Sequence, residues 1–227
     1  MSEIPKIVLP HGGYRNLIVY KKSDVIYEGT VMFCRRFLSA HGDRTVDQMV
    51  QAARSCKQNI AEGSAAAATS LETQLKLTNV ARATLDELLE DYLDYLKANG
   101  FSEWEMNSEK KTAARNYAVS HPHWEEWKSI FETRSAAVVC NLMIVFIQQS
   151  RYLLDRMLKW QEQDFTKHGG VRERMYSARS AERAHNWETS VFSYLEKAET
   201  PIELDNRVRE IQAYVSQAAW GIKQKKR

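Results

Sequence analysis

Apolar residues recur every three or four positions through most of this chain, which is the spacing of one face of an α-helix. No segment alternates apolar and polar residues as a half-buried strand does, so we expect an all-α fold. The first helix is predicted from about residue 14 to residue 40, with an apolar stripe of Leu17, Tyr20, Tyr27, Val31, Cys34 and Phe37. Its other faces carry Lys21, Lys22, Arg35 and Arg36. Gly42 is a suitable C-cap after it.

The next two periodic segments predict a pair of antiparallel helices. The second helix begins near residue 44, after Asp43 or at Thr45, and is expected to end at Gly63 in a left-handed turn. Its core face comprises Val46, Met49, Val50, Ala53, Cys56 (or alternatively Lys57) and Ile60. The third helix opens with the capping box Thr69-x-x-Glu72 and ends at Asn99-Gly100. It carries two adjacent apolar stripes, so it must pack against two neighbours, as in a bundle.

The rest of the chain is also helical in pattern. Residues 102–132 predict an insertion of two short helices, broken at 121–123, whose aromatic residues pack on the other helices. A fourth long helix is predicted over 133–163, with 138–147 its most buried part. Two further helices are predicted over 171–197 and 202–223. The expected fold is an antiparallel up-down four-helix bundle with a helical insertion between helices 3 and 4 and a helical C-terminal suffix. The corresponding domains are an arm (1–13), the bundle (14–163) and the suffix (164–227).

Composition favours a cytoplasmic protein with a substantial core. The chain is 44% hydrophobic and 27% charged, with a mean hydropathy of -0.51. Its longest near-apolar run, 136–147, is shorter than a bilayer requires, and no secretory signal is visible at its start. Cys34, Cys56 and Cys140 are widely spaced, which predicts reduced, buried thiols. We therefore expect no membrane association.

The net charge of +3 is distributed unevenly. Residues 1–60 carry nine basic and five acidic residues, residues 61–100 carry three and seven, and residues from 166 onward carry twelve and eight. Such segregation either attracts a polyanion or joins basic and acidic faces of neighbouring subunits, and both alternatives remain open. On the third helix, Asp86 and Glu90 are like charges at i,i+4, and Arg151 and Arg156 of the fourth helix are expected to lie near such pairs.

Two groups of residues are candidate functional positions. The candidate nucleic-acid ligands are Arg35, Arg36, Arg54, Lys57, Arg172, Arg174, Arg179 and Arg183. They would bind phosphates with a salt-dependent affinity, and the alternative interpretation is that they are solvated helix faces. The candidate structural residues are Asn59, Glu62, Gly63 and Glu72. Asn59 is expected to bond free carbonyls at a helix end, and Glu62 to reach the N-terminus of the third helix.

No catalytic signature stands out. His121 and His123 precede Glu125 and Glu126, but Pro122 lies between the histidines and no His-Glu-x-x-His or cysteine pair occurs. A phosphate-binding glycine loop and a nucleophile motif are likewise not visible. The sequence therefore predicts a non-enzymatic protein with no catalytic residues, no metal and no cofactor.

The corner between the second and third helices resembles a known family. Asn59-Ile60-Ala61-Glu62-Gly63, Thr69-x-x-Glu72 and the small-residue stretch 80–88 are similar to four-helix-bundle proteins first noted as reading frames in intervening sequences of bacterial ribosomal RNA genes. The resemblance covers roughly residues 14–100 and extends loosely to the fourth helix. Residues 165–183 are similar to a suffix carried by a subset of the family. At 64–68 the chain has Ser-Ala-Ala-Ala-Ala where family members usually carry basic residues.

The resemblance carries expectations about function. The family includes the accessory protein of diversity-generating retroelements, a homopentameric barrel that binds nucleic acid and the element's reverse transcriptase. The resemblance therefore implies that this chain is a bacterial, homo-oligomeric, non-catalytic accessory protein that binds RNA or DNA and a nucleic-acid enzyme such as a reverse transcriptase. The alternative is a protein–protein scaffold whose suffix docks a partner without contacting nucleic acid. An enzyme that uses the insertion histidines is a third hypothesis.

Overall fold

A computed structural model describes residues 13–38 and 44–224, and this part of the chain is helical, with no β-strand in it. The all-α prediction is therefore confirmed. The helices are α1 (Ile18–Phe37), α2 (Arg44–Ala66), α3 (Leu71–Ala98), α4 (Glu109–Ser120), α5 (Lys128–Thr133), α6 (Ala136–His168), α7 (Val171–Glu196) and α8 (Pro201–Gln224). Short 3₁₀ turns occupy Tyr14–Asn16 and Trp124–Glu126. The predicted arm up to residue 12 and the caps at Gly42 and Asp43 lie outside the described residues.

Several predicted helix ends were wrong, each for a local reason. The side chain of Ser70, rather than Thr69, caps α3, with its Oγ accepting a hydrogen bond of 3.1 Å from the backbone N–H of Thr73. α6 continues to His168 instead of ending near residue 163, because no helix breaker occurs before Gly169, whose φ is +67°. Gly100 ends α3 as predicted, with a φ of +68°.

The four long helices of the first part of the chain each pack on two others. α1 contacts α2, α2 contacts α3, α3 contacts α6, and α6 contacts α1. The predicted burial of α6 is confirmed, because every residue from 139 to 147 is buried. One helical stretch of the described residues, which includes α6, is long and apolar enough by length and composition to cross a membrane. Its apolar window is 61% buried within the protein, so packing against α1 and α3 accounts for its apolarity.

The predicted stripe of α1 was wrong in part. Its most buried apolar side chains are Val19, Val25, Ile26, Phe33 and Cys34, whereas most of the predicted stripe is only half-buried. The reason is that α1 buries two faces: α5 and the Trp124–Glu126 turn pack on it in addition to α2 and α6. A single stripe cannot describe such a helix.

The insertion packs on the other helices through its aromatic residues, as predicted. Trp127 is 1% exposed, and its indole N–H donates a hydrogen bond of 2.7 Å to the backbone oxygen of His121. Its ring meets those of Tyr117, Phe131 and Phe146 edge to face. The predicted break at 121–123 is also present between α4 and the following turn.

Two ion pairs cross between α3 and α6. Arg82 of α3 lies 3.7 Å from Asp155 of α6, and Asp86 of α3 lies 2.5 Å from Arg151 of α6. In both helices an arginine precedes an aspartate by four residues, and each arginine pairs with the aspartate of the other helix. The predicted proximity of Arg151 to Asp86 is confirmed, and it offsets the repulsion between Asp86 and Glu90 within one chain.

The described residues divide into two compact units, one up to Val171 and one from Arg172 onward. The second unit is a hairpin of α7 and α8. The rings of Trp187 and Tyr214 stack at 5.4 Å, and the Tyr194 hydroxyl donates a hydrogen bond to Glu210. These pairings place later residues of α7 against earlier residues of α8, so the two helices run antiparallel.

Candidate nucleic-acid interface

Arg36 is exposed, but its guanidinium is partly engaged by the insertion. Its Nη1 donates hydrogen bonds to the backbone oxygens of Phe131 and Arg134, and its guanidinium lies 4.4 Å from the centroid of the Phe37 ring. These carbonyls belong to the C-terminal end of α5, which lacks partners within the helix. Arg36 therefore ties the insertion to α1, and nucleic-acid binding by its remaining donors stays a prediction.

Lys57 has an intramolecular partner as well. Its ammonium forms an ion pair with Asp24 of α1 and lies 5.1 Å from the centroid of the Tyr27 ring. Burial disfavours the charged form, but the hydrogen bond and the charge of Asp24 outweigh it and raise the pKa of Lys57. This lysine joins α2 to α1, so a phosphate would have to displace Asp24 to reach it.

Arg35 and Arg54 remain available on the surface of the first unit. Both side chains are exposed, and neither forms a hydrogen bond or an ion pair within the described residues. Arg35 lies in the last turn of α1, and Arg54 lies in the middle of α2. No contact between them is present in this part of the chain. Arg35 lines a groove with Arg36 and Lys128, and also with the carboxylates of Glu28 and Glu132, whereas Arg54 does not line that groove.

The arginines of α7 have the most favourable arrangement. Arg172, Arg179 and Arg183 are separated by seven and four residues, a spacing that places them on one face of a helix. All three are exposed, and none forms an ion pair within the described residues. The exposed ring of Tyr176 lies on the same face, between the first two. Arg174 is two positions from Arg172, on the opposite side of α7, and it is buried, so the prediction that it is a surface ligand was wrong.

The corner at 59–63 and the nearby Glu72 make contacts that differ from the predicted ones. Asn59 is half-buried, and its Nδ2 donates a hydrogen bond of 3.1 Å to the Ser55 hydroxyl instead of to a free carbonyl. Glu62 is exposed and makes no hydrogen bond in the described part of the chain, so it does not reach α3. Glu72 pairs with Lys76 on the surface of α3, at 2.7 Å.

Gly63 lies inside α2 and does not end it. α2 continues to Ala66, because the following Ser-Ala-Ala residues favour helix and Gly63 keeps a negative φ. A Cβ at Gly63 would lie 3.4 Å from the Cβ of Leu77 on α3. A methyl group at this position would therefore fit against α3 at an ordinary contact distance, and the predicted left-handed turn at Gly63 was wrong.

The first unit has a mainly acidic groove whose lining also contains the cation Arg44. It has a volume of about 710 Å³ between α2 and α3, and its lining includes Asp47, Glu87 and Asp91. Burial, together with the charges of Asp94 and Glu87, raises the pKa of Asp91. Carboxylates at this density repel phosphates, so this groove is not part of a nucleic-acid interface.

The buried lysines were missed by the sequence analysis. Lys22 is 3% exposed, although it was placed outside the apolar stripe, and Lys111 is buried with its ammonium 2.7 Å from a carboxylate oxygen of Glu103. The burial of Lys22 could have been inferred from its spacing, since Val19, Lys22 and Ile26 share one face of α1 and both neighbours are apolar. Lys22 was not predicted to be buried, because the residue that covers it, Ala118 of α4, is distant in sequence.

The cysteines and His121, which are potentially reactive side chains, are engaged in packing contacts. The three cysteines are buried as free thiols, as predicted. Burial raises the pKa of both Cys56 and Cys140 to about 12, which leaves them protonated and poor nucleophiles at neutral pH. The His121 ring stacks on Tyr117 with centroids 3.7 Å apart. No group of three or more His, Cys, Asp or Glu side chains that could hold a metal occurs in the described residues.

Comparison with known proteins identifies no relative. No family model matches the sequence, and neither the curated proteins nor the solved structures contain a match to it. The described residues form an all-helical protein with a larger helical unit and an antiparallel hairpin.

Proposed function

We propose that this chain is a cytoplasmic, non-catalytic, homo-oligomeric accessory protein that binds nucleic acid electrostatically through α7. The first unit serves as its scaffold, an antiparallel up-down bundle of α1, α2, α3 and α6 with α4 and α5 inserted. The cyclic packing of these four helices supports that arrangement. The family resemblance at the α2–α3 corner supports the accessory role and adds a reverse transcriptase or another nucleic-acid enzyme as a partner.

The observation that carries the proposal is the arginine face of α7, defined as Arg172, Arg179 and Arg183. Arginine binds phosphate through a planar fork of N–H donors, and three such groups on one helix face follow a phosphate backbone. Tyr176 offers an exposed ring on which a base can stack. The candidates on α1 and α2 provide a weaker site, because two of the four are engaged within the chain.

Replacing all three arginines of this face by alanine is expected to weaken binding of a fluorescent single-stranded RNA on the order of 100-fold at 0.1 M salt, since three phosphate contacts are lost. Fluorescence anisotropy measures the affinity. The substituted side chains are exposed, so the helix content seen by circular dichroism should not change.

The matched control is the double variant Arg35→Ala/Arg54→Ala, which removes exposed arginines from the first unit. It is expected to weaken RNA binding less than about threefold, because only weak nonspecific attraction is lost. If the control weakens binding as strongly as the α7 variant, the site lies on α1 and α2 or is spread over the surface, and the assignment to α7 is wrong.

Homo-oligomer formation is supported by an apolar stripe on α8. Leu204, Val208, Ile211 and Val215 have spacings of four, three and four, so they share one face of the helix. Leu204, Val208 and Val215 are exposed to a degree unusual for a continuous apolar row. A second copy of this chain carries the same stripe, so two copies can cover each other's apolar residues. Assembly would also bring several arginine faces together in one multivalent surface.

Light scattering of the full chain is expected to give a small multiple of 26.3 kDa, five being the number that the resemblance implies. Val208→Asp/Val215→Asp should shift the mass to that of one chain, because it places two charges in the stripe. Ile202→Asp is the control, since Ile202 is exposed on another face of the same helix. A wild-type monomer would contradict the oligomer.

The same stripe favours a second function, a protein scaffold that docks a different chain without nucleic acid. In that case the Val208→Asp/Val215→Asp variant would lose a co-purified partner, while the alanine variant of the arginine face would keep it. A wild-type chain that binds no RNA at low salt but retains such a partner would establish the scaffold in place of the nucleic-acid function.

A further inference from the structure

Lys22 is a buried cation that the accessory role leaves unused. Its Nζ donates hydrogen bonds of 2.6 Å each to the backbone oxygen of Ala118 on α4 and to Oε1 of Gln149 on α6. Both acceptors are neutral, and within the described ranges no carboxylate pairs with this lysine. A buried ammonium without a counter-ion is costly, and burial lowers the pKa of Lys22 from 10.5 to about 8.

Lys22 lines a groove between α1, α4 and α6 that has a volume of about 420 Å³. The apolar part of its lining comprises Ile18, Val119, Val145, Tyr152 and Leu153. Ile18, Val119 and Tyr152 are 56%, 70% and 60% exposed, so these three side chains form an apolar rim that faces solvent, whereas Val145 is buried. Apolar side chains that converge on one concave surface with few polar groups are typical of a small-molecule site.

The charge of the groove has one sign. Its lining includes Lys22 and Arg115 together with Gln148 and Gln149, and none of its described lining residues is acidic. The guanidinium of Arg115 hydrogen-bonds Met106, through the backbone oxygen and the sulfur, and those partners are neutral too. The groove therefore combines an apolar wall with two cations that lack counter-ions, and an anion is the complementary charge.

We propose that this groove binds a small amphipathic carboxylate, with the carboxylate on the Lys22 ammonium and an aliphatic chain along Ile18, Val119 and Tyr152. An ammonium has three N–H donors, and Lys22 uses two of them for Ala118 and Gln149, which leaves the third without a hydrogen-bond acceptor. The Nζ also lies 5.3 Å from the centroid of the Phe146 ring, an aromatic contact that a carboxylate would complement with charge. The carboxylate supplies a charge-assisted hydrogen bond, and the chain covers exposed apolar surface. This binding site is independent of the proposed nucleic-acid function.

Titration calorimetry of the full chain with decanoate, below the concentration at which it self-associates, tests the proposal. Decanoate is expected to bind at least about tenfold more tightly than 1-decanol, because only the acid pairs with Lys22. Lys22→Met keeps the apolar length of the side chain and is expected to remove that preference, so that decanoate and decanol bind with similar affinity. Equal affinities of the wild type for decanoate and decanol, or no decanoate binding, would overturn the proposal.

Val119→Asp is a second variant, on a surface position whose change does not disturb the core. Its carboxylate introduces a negative charge at the groove and is expected to weaken decanoate binding at least about tenfold. The matched control Val80→Asp, at a 43% exposed position on α3, should leave the affinity unchanged. Decanoate binding that survives both Val119→Asp and Lys22→Met at wild-type affinity would place the ligand elsewhere and refute the assignment.

Discussion

Trp127→Ala is expected to lower the free energy of unfolding by about 3–5 kcal/mol. The indole is 1% exposed and contacts aromatic rings of α4, α5 and α6, so its removal leaves a cavity at the centre of the insertion. The backbone oxygen of His121 also loses its hydrogen bond from the indole N–H. Urea denaturation at one fixed protein concentration, followed by circular dichroism, measures the change.

Trp160→Ala is the matched control, because Trp160 lies on α6 and is 63% exposed. The same chemical change there is expected to alter the free energy of unfolding by no more than about 0.5 kcal/mol. Similar losses in both variants would mean that the insertion is not packed on the long helices. That result would also remove the explanation given for the burial of Lys22 beneath α4.

Gly29→Ala is expected to lower the free energy of unfolding by about 1–3 kcal/mol, despite the higher helix propensity of alanine. A Cβ at this position would lie 2.8 Å from both Sδ of Met143 and Cε1 of Phe131. These atoms belong to α6 and α5, so the methyl group would force α1 away from two neighbours at once. The measurement is again urea denaturation, with an unchanged m-value expected if the native fold is kept.

Gly63→Ala provides the comparison, since this glycine also lies within a helix but its Cβ would meet Leu77 at an ordinary contact distance. It is expected to leave stability unchanged or raise it by up to about 1 kcal/mol, the gain in helix propensity. A loss larger than about 1 kcal/mol would instead indicate a left-handed glycine, and the interpretation of the α2–α3 corner would then revert to a helix-ending turn.

Periodicity alone could predict the helices because local spacing determines them. The hairpin bounds of α7 and α8 differ by no more than one residue from the predicted ones, since Gly169-Gly170 and Pro201 interrupt the helical pattern there. The end of α2 could not be predicted in this way. Gly63 is equally compatible with a left-handed cap and with close helix contact, and only the position of Leu77 in space distinguishes the two.

The candidate site was less predictable, because the environment of a charged side chain depends on contacts distant in sequence. Arg36 and Lys57 have sequence surroundings similar to those of Arg35 and Arg54. In the structure, however, Arg36 donates a hydrogen bond to the backbone oxygen of Phe131, and Lys57 forms an ion pair with Asp24. Those partners lie on other helices, so no pattern along α1 or α2 shows them. The arginine face of α7 was recognisable from spacing, whereas the burial of Arg174 was not.

The salt dependence of RNA binding by the wild-type chain tests the central claim most directly. If the arginine face contacts three phosphates, the logarithm of the association constant should fall linearly with the logarithm of the salt concentration. The slope should be about -2 per chain or steeper. Binding that is absent at low salt, or an affinity that does not change with salt, would contradict the proposal that this protein is an electrostatic nucleic-acid accessory factor.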